Sequence, residues 1–301
     1  MKLKIFLTAI IFIFLSNTCG YCESNSNIIL KFKNNSQKYQ CCEIKNKACM
    51  EDVLAIKNLF EQQKIYLNTL NIEKLKLIYS DDYLSNDGFD KETLFKLYED
   101  TIKNHPDIKY DIYITKLSVD GSYATVKAIN KSTASTAEKS QITGDKGLLT
   151  IDMETVFYLK KSCGVWQIVA EYTLSEMTSL LYGDCKNSGI KLFAPECIAA
   201  NTEYTASLKM PEKYAQYAMG SIKKESIIFP TPQTPDIFKP LDSIGLLERI
   251  FKSNSKGNNE TIAASIALAL PKKDKYNNIN IKISGLGVLL RRVNVITPPQ
   301  K

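Results

Sequence analysis

The sequence predicts an α+β protein in which a region of helices and antiparallel strands precedes an all-β region. Two patterns carry this prediction: apolar residues recur at helical spacing in residues 55–78, and apolar and polar residues alternate after residue 108. The charge balance supports a division. Residues 50–185 contain 15 Lys or Arg against 21 Asp or Glu, whereas residues 186–301 contain 17 against 9. We therefore expect two units, at residues 50–185 and 190–297.

The N-terminus is typical of a secretory signal peptide. Lys2 and Lys4 precede an apolar run of about 11 residues, which is too short to span a bilayer comfortably. We expect a signal peptide at residues 1–20 and an extended, Asn- and Lys-rich arm at residues 21–49. No later segment reaches about 18 continuous apolar residues, so no integral membrane span is expected. Export to a periplasmic or extracellular location follows from this interpretation.

Three helices are expected in the first unit. The first begins near Glu51 or Asp52, Asn71 caps a short second helix, and Asp90 caps a third. The first helix has a broad stripe at 3.6-residue spacing, made of Ile56, Leu59, Phe60, Gln63, Tyr66, Leu67 and Leu70. A stripe of this width requires a large partner surface, which the following strands can supply.

Strands follow the third helix. Alternation predicts strands at residues 108–115 and 123–130, joined at the turn signal Asp120-Gly121. Residues 131–146, rich in Ser, Thr and Ala, are expected to form a flexible connection. Residues 148–161 and 165–172 are the next strands, and the length of the first of them predicts a bend or a bulge.

The run Tyr79-Ser-Asp-Asp-Tyr-Leu-Ser-Asn-Asp-Gly88 and the segment Gly164-x-Trp166-x-Ile168-Val169 resemble the SnoaL-like branch of the nuclear-transport-factor-2-like superfamily. The resemblance covers residues 50–182. It implies a cone, in which three helices pack into the concave side of a bent antiparallel sheet and leave a pocket at the wide end. Enzymes of this superfamily use a pocket carboxyl as acid or base, and other members only bind ligands or dimerise.

The second unit is expected to be an immunoglobulin-like β-sandwich with generic features. Alternation and turn residues predict six strands, at residues 190–193, 203–210, 218–229, 246–253, 261–270 and 279–295. The Cys–Trp–Cys pattern that would identify an immunoglobulin domain is missing from the sequence.

The numbers of cysteine and histidine residues limit which disulfides and metal sites the chain can form. The chain has eight cysteines, and export favours disulfides, with Cys185 and Cys197 the best candidate pair. His105 is the only histidine and is expected in a surface turn before Pro106. Paired ligands at zinc spacing, a phosphate loop and a dinucleotide fingerprint are not found in the sequence, so no metal or cofactor is predicted.

Carboxylates in the expected cone are the candidate catalytic groups. Asp82 and Glu171 are the candidates for an acid–base role, since apolar walls raise the pKa of a pocket carboxyl. The predicted pocket comprises Tyr83, Tyr98, Asp152, Glu154, Trp166 and Glu171. Each has an ordinary structural alternative: paired Asp residues cap turns, alternating carboxylates form the solvated face of a strand, and Trp166 packs a core.

Two functions remain open at this point. The first is an exported, non-catalytic binding or assembly module of the cell envelope or extracellular space. The alternative is a pocket enzyme of isomerase or hydratase type. The partners expected are a small apolar ligand or an envelope protein, and a homodimer through the curved sheet. Nucleic acid is not expected, because the lysines of the basic half are scattered.

Overall fold

The computed structural model describes residues 47–227, 235–273 and 279–297. The predicted signal peptide and most of the predicted arm lie outside these residues. The helices are α1 (Lys47–Asn68), α2 (Ile72–Lys76), α3 (Lys91–Asn104) and α4 (Glu212–Ala215), with a 3₁₀ turn at Asp184–Asn187. The strands are β1 (Lys109–Asp120), β2 (Tyr123–Lys139), β3 (Lys146–Ser162), β4 (Val165–Gly183), β5 (Lys191–Phe193), β6 (Cys197–Ala199), β7 (Glu203–Lys209), β8 (Ala218–Ser226), β9 (Lys239–Pro240), β10 (Leu246–Lys252), β11 (Glu260–Leu268), β12 (Pro271–Lys273), β13 (Ile279–Ile281) and β14 (Gly285–Ile296).

Two compact units divide the chain. Among the described residues, the first comprises those from residue 47 to Lys103 together with Ile108–Ser132 and Asp152–Leu174. The second comprises Asn104–Asp107, Thr133–Ile151 and the described residues from Ser175 onward. The expected boundary between independently folding units at residues 185–190 stays a prediction.

Helix α1 supplies the long apolar stripe of the first unit. Its buried residues are Val53, Ile56, Phe60, Gln63 and Leu67, which follow one another at alternating intervals of three and four residues. The helix begins before the predicted Glu51 or Asp52. The predicted stripe is confirmed at its centre, while Leu59, Tyr66 and Leu70 are half-buried at its margins.

Specific contacts fix α1 against the strands. The Phe60 ring meets the Phe157 ring of β3 edge-on, with centroids 5.1 Å apart. At the end of the helix, the Asn68 side-chain amide donates to the carbonyl of Tyr110 at 2.8 Å, and its oxygen accepts from the Tyr110 amide at 2.9 Å. The Asn68 side chain therefore satisfies both backbone groups of Tyr110, as a neighbouring strand would.

The caps expected for the other two helices are confirmed. The Asn71 side chain accepts from the Lys74 amide at 3.1 Å at the start of α2, and the Asp90 side chain accepts from the Thr93 amide at 2.8 Å at the start of α3. Helix α3 buries Leu94, Phe95, Leu97, Tyr98 and Thr101. Caps and apolar spacing therefore explain where these helices begin and which side of α3 is buried.

The first four strands are neighbours in the order β1-β2-β3-β4. Their connections are short, which requires antiparallel pairing. Strand β2 continues through Lys139, so the prediction of a flexible connection across residues 131–146 is wrong for its first part. Ser132, Ala134 and Thr136 are buried at every second position, and small or hydroxylated residues sustain this alternation where sequence composition suggests a loop.

The alternation of buried and exposed side chains along strand β4 shifts by one residue at two places. The buried positions are Trp166, Ile168, Glu171, Thr173, Glu176 and Thr178. The interval is two residues except between Ile168 and Glu171 and between Thr173 and Glu176, where it is three. A skipped residue of this kind is the signature of a β-bulge, which bends a strand and redirects its side chains.

In the second unit the end of β4 pairs with β14, and β11 and β8 continue that sheet. Strands β10, β7 and β5 form another sheet. Side chains of both sheets share one core, including Leu208 of β7 and Ile266 of β11. All six predicted strands of this region are found, the last one divided into β13 and β14.

The predicted disulfide between Cys185 and Cys197 is wrong. Both thiols are free, Cys185 in the core and Cys197 exposed. Cys185 lies against Gly285 at the start of β14, whereas Cys197 pairs with Asn294 near the end of that strand. Nine residues of strand span about 30 Å, and a disulfide needs Cα atoms within about 7 Å.

His105 is buried, so the prediction of a surface turn residue is also wrong. Its Nδ1 lies 3.2 Å from the carbonyl oxygen of Ser135 in β2, and burial lowers its pKa. The extension of β2 beyond residue 130 provides the chain that buries the ring. Separately, none of the helices in the described part of the chain has the length and apolar character that crossing a membrane would require.

Candidate active site in the first unit

The segment from Ile78 to Asn86 runs beside β4. It brings its side chains close to the irregular step of β4 between Ile168 and Glu171. The Ile168 amide donates to the carbonyl of Ile78 at 2.9 Å, and the Ser80 amide donates to the carbonyl of Ile168 at 2.9 Å. Further along, the amides of Leu84 and Asn86 donate to the carbonyls of Val169 and Glu171 at 3.2 and 3.4 Å. The segment and the strand therefore advance together and place Tyr83 beside Glu171.

Glu171 is a buried carboxyl held by a tyrosine hydroxyl. The Tyr83 hydroxyl donates to Glu171 Oε1 at 2.5 Å, and the two residues are 2% and 4% exposed. The bulge after Ile168 turns Glu171 inward, and Ser85 closes the turn behind Tyr83 by accepting from the Phe89 amide at 2.9 Å. Local backbone geometry, not chance proximity, fixes this pair.

Tyr79 and Tyr98 complete what we call the tyrosine cluster, defined as Tyr79, Tyr83, Tyr98 and Glu171. The hydroxyls of Tyr79 and Tyr98 are hydrogen-bonded to each other, and both lie within electrostatic range of Glu171. Gln63 of α1 donates its amide proton to the Tyr79 hydroxyl at 2.9 Å. The Tyr79 and Tyr83 rings meet edge-on, with centroids 5.2 Å apart.

Burial sets the protonation of this cluster. Desolvation raises the pKa of Glu171 to about 7, although the hydrogen bond from Tyr83 lowers it. Burial and the nearby Glu171 also raise the pKa values of Tyr83 and Tyr98 well above their usual range. At neutral pH the carboxyl can therefore both give and take a proton, while the phenols remain protonated donors.

Trp166 lies in a different cluster, at the β3–β4 hairpin. Its indole N–H donates to Asp52 at 2.9 Å, and Lys161 binds the same carboxylate oxygen at 2.6 Å. The Lys161 ammonium also lies 5.9 Å from the centre of the indole ring. The structure therefore gives Trp166 a core role that joins the start of α1 to the hairpin.

The remaining predicted site carboxylates face solvent. Asp152 and Glu154 pair with Lys131 and Lys127 at 3.3 and 2.9 Å, with half and one third of their side chains exposed. Asp82 is exposed in the turn before Tyr83. Strand alternation directs the first two outward, and turn geometry directs the third. Of the predicted residues, only Tyr83, Tyr98 and Glu171 come together.

Tyr79 and Gln63 also belong to the site, although neither was among the residues predicted for it. Gln63 carried a usable signal, because it is a polar residue at a core position of the apolar stripe of α1. Tyr79 opens the same run as Tyr83, and only the pairing of that run with β4 shows that both tyrosines turn inward. No feature of the sequence alone predicts that pairing.

A surface groove of about 680 Å³ lies at α3. It is lined by Lys76, Asp81, Asp90, Lys91, Glu92, Phe95, Lys96 and Glu99. Phe95 is the one apolar residue of this lining, and its ring meets the Tyr79 ring with centroids 5.5 Å apart. None of the predicted pocket residues lines the groove. Among the residues with described positions, no group of three or more His, Cys, Asp or Glu is placed to hold a metal ion.

No protein-family model and no curated protein matches the sequence. Solved structures do match part of it. A scytalone dehydratase-like protein from Novosphingobium aromaticivorans is 15% identical, with a TM-score of 0.37, over 43% of this chain and 87% of its own. A hexachlorocyclohexane dehydrochlorinase from Novosphingobium barchaimii is 16% identical, with a TM-score of 0.35, over 42% and 90%.

A dehydratase-like protein of the nuclear-transport-factor-2-like family from Streptomyces avermitilis is 12% identical, with a TM-score of 0.33, over 41% of this chain and 95% of its own. At these scores the matches carry no conclusion about what the protein binds or does. Over about two fifths of its length the chain is similar to these solved structures, one of which is described as a member of the nuclear-transport-factor-2-like family.

Proposed function

We propose that the first unit is a small-molecule enzyme of isomerase or hydratase type, in which Glu171 transfers the proton. One observation carries the proposal: a fully buried carboxyl, held by the Tyr83 hydroxyl at 2.5 Å, has a pKa raised to about 7. A proton-transfer group works best when its pKa lies near the operating pH. An isomerase returns the removed proton to another carbon, whereas a dehydration delivers a proton to the hydroxyl that leaves as water, so both classes need one group that accepts and releases a proton.

The tyrosines supply the second requirement of such chemistry. When a base removes a proton next to a carbonyl group, negative charge develops on the carbonyl oxygen. Hydroxyl donors fixed in a dry site stabilise that charge, since they need no reorganisation. The hydroxyls of Tyr79 and Tyr98 are buried within electrostatic range of Glu171, and substrate binding would exchange their mutual hydrogen bond for one to the oxyanion. Glu171 is therefore proposed as the acid–base residue and the tyrosines as the oxyanion donors.

Carbon-bound proton exchange tests this proposal without knowledge of the natural substrate. The full chain is incubated in D₂O with small β-hydroxyketones and β,γ-unsaturated ketones, and NMR follows deuterium entering next to the carbonyl. We expect exchange with wild type, a loss of at least 100-fold with Glu171→Gln, and an intermediate loss with Tyr83→Phe.

Glu176→Gln is the matched control. Glu176 lies on the same strand, is 5% exposed and has a pKa raised to about 7, but its neighbours are Thr178 and Arg292. The control variant should retain exchange. Equal loss in both variants would show that removing a buried carboxyl damages the fold, and an active Glu171→Gln variant would contradict the proposed role.

A non-catalytic binding module is the second candidate. The packing of the cluster favours it, because Tyr83 occupies a Glu171 oxygen and Phe95 contacts both Tyr79 and Tyr98. Under this alternative Glu171 only orients Tyr83, and a ligand binds without reaction. Saturable binding by wild type, with no proton exchange for any ketone, would favour this candidate over the enzyme.

Export to the periplasm or the extracellular space also remains a proposal, supported by Lys2, Lys4 and the apolar run that follows them. N-terminal sequencing of exported material should find a chain that begins near Tyr21–Glu23. A homodimer through the sheet of the first unit is proposed from the exposed aromatic side chains of Tyr113, Tyr123 and Tyr158. Sedimentation of the full chain tests it, and a monomer at high micromolar concentration would contradict it.

A further inference from the structure

Five buried side-chain polar atoms in the first unit have no hydrogen-bond partner among the described residues. Two of them are the side-chain oxygens of Asn86 and Asn130, and the other three are Gln63 Oε1, the Tyr110 hydroxyl and the Thr173 hydroxyl. The latter three residues are 2%, 9% and 0% exposed, so bulk solvent does not satisfy them. Buried polar atoms are nearly always paired, and an unpaired one marks a position where a ligand or an ordered water belongs.

Gln63, Tyr110 and Thr173 lie beside the tyrosine cluster. The other end of the Gln63 amide group donates to the Tyr79 hydroxyl at 2.9 Å. Tyr110 lies within electrostatic range of Tyr98. Thr173 follows Glu171 by two residues on the same face of β4, a distance of about 7 Å along the strand. Unpaired atoms from α1, β1 and β4 therefore lie beside different members of the tyrosine cluster.

The chemistry of these groups restricts what can bind. The Gln63 oxygen only accepts hydrogen bonds, whereas the hydroxyls of Tyr110 and Thr173 can donate or accept. No cation among the described residues contributes to the electrostatics of Glu171, since burial and the Tyr83 hydroxyl alone set them. An anionic ligand would lose its hydration without gaining a countercharge.

We propose that Gln63, Tyr110 and Thr173 form a binding subsite for an uncharged small molecule that carries hydroxyl or carbonyl groups on an apolar frame. The rings of Tyr83 and Phe95 pack edge-on against the Tyr79 ring, so the surroundings of the subsite are apolar. The inference rests on the site of the proposed function and names its ligand class. It requires binding only, so it can hold where catalysis fails.

Three probes of similar size separate the ligand classes: resorcinol is neutral and has two hydroxyls, benzoate is an anion, and toluene is apolar. Ligand-observed NMR on the full chain at pH 7.5 should show saturable binding of resorcinol. Benzoate and toluene should each bind at least 10-fold more weakly. Absence of resorcinol binding, or equal binding of benzoate, would overturn the proposed ligand class.

Variants that remove only the unpaired atoms test the subsite. Thr173→Val and Tyr110→Phe should each weaken resorcinol binding by about 10-fold, the effect of losing one good hydrogen bond. Thr101→Val is the matched control. Thr101 is 1% exposed, but its hydroxyl donates to the Leu97 carbonyl at 2.8 Å, so resorcinol binding should be unchanged.

Thermal unfolding without ligand separates a ligand from a permanently bound water. If the atoms are unpaired in the free protein, Thr173→Val and Tyr110→Phe should leave the midpoint unchanged or raise it. A midpoint lowered in both variants, with resorcinol binding intact, would show that buried waters satisfy the atoms and would overturn the proposal. Resorcinol binding without proton exchange would instead overturn only the proposed enzymatic function.

Discussion

Glu171 and Glu176 are buried carboxyls on one strand, and each responds to its own neighbours. Burial raises the pKa of both carboxyls to about 7. The Tyr83 hydroxyl lowers the pKa of Glu171, and Arg292 lowers the pKa of Glu176. A carboxyl whose pKa rises on folding binds its proton more tightly in the folded state. Its contribution to stability is therefore fully present below pH 4.5 and is lost as the pH rises toward 7.

We therefore predict that Glu171→Gln flattens the pH dependence of the unfolding free energy. Between pH 4.5 and 7 each of the two carboxyls should reduce the stability of wild type by about 3 kcal/mol. Each single Gln variant should remove its own share of the slope, and the double variant should remove both. Urea unfolding at a series of pH values measures the slopes. An unchanged slope in Glu171→Gln would show that this carboxyl titrates normally.

Trp166 gives a prediction that separates core packing from ligand contact. Its indole N–H is paired with Asp52, so Trp166→Phe should reduce stability by about 1.5–3 kcal/mol, the usual range for a hydrogen bond to a charged group. Tryptophan fluorescence in wild type should be blue-shifted and unaffected by resorcinol. A saturable fluorescence change on adding resorcinol would place Trp166 in the ligand site and contradict the assignment to the core.

Helix α1 is held in the core of the first unit by its apolar stripe. Phe60→Ala should reduce stability by about 3–5 kcal/mol, because the side chain is 2% exposed and packs on Phe157. Leu54→Ala is the control on the same helix, since Leu54 is 55% exposed. Chemical denaturation of both variants measures the difference. Similar losses would mean that α1 is not anchored by its apolar stripe.

Periodicity and capping residues predicted the elements well, for physical reasons. Asn71 and Asp90 cap helices because their short side chains reach free backbone amides, a local effect that sequence reveals. The continuation of β2 past residue 130 escaped prediction, since Ser132 and Thr136 have the composition of a loop and gain burial only from tertiary packing. The disulfide failed for the same reason: spacing in sequence says nothing about which end of β14 each cysteine occupies.

The candidate site shows the same limit. Glu171 and Tyr83 could be selected from the sequence, because they lie in or near the segments that resemble the SnoaL-like family. Asp152, Glu154 and Asp82 were equally plausible by residue type, and their exclusion depends on the direction of each side chain. In β4 that direction is set by bulges, which shift the alternation by one residue and are invisible in a hydrophobic pattern.

At the scale of the whole molecule, the second unit includes the end of β4. That segment pairs with β14 from Gly183↔Gly285 to Met177↔Arg291. We predict that a fragment of residues 186–301 aggregates or remains unfolded, because it exposes the edge of β14. Circular dichroism and sedimentation of the fragment test this expectation. A folded, monomeric fragment would instead support the domain boundary that the charge distribution predicts.

Glu171 is proposed to be a protonatable group within a buried tyrosine cluster, and this can be tested directly. The most direct measurement is an NMR titration of the full chain with ¹³C-labelled glutamate carboxyls, in which the Glu171 signal is assigned by its loss in Glu171→Gln. We expect this signal to titrate near pH 7, and we expect Tyr83→Phe to raise the pKa of Glu171, since the lost hydrogen bond lowers it. A Glu171 carboxyl that titrates at or below pH 4.5 would contradict its proposed role.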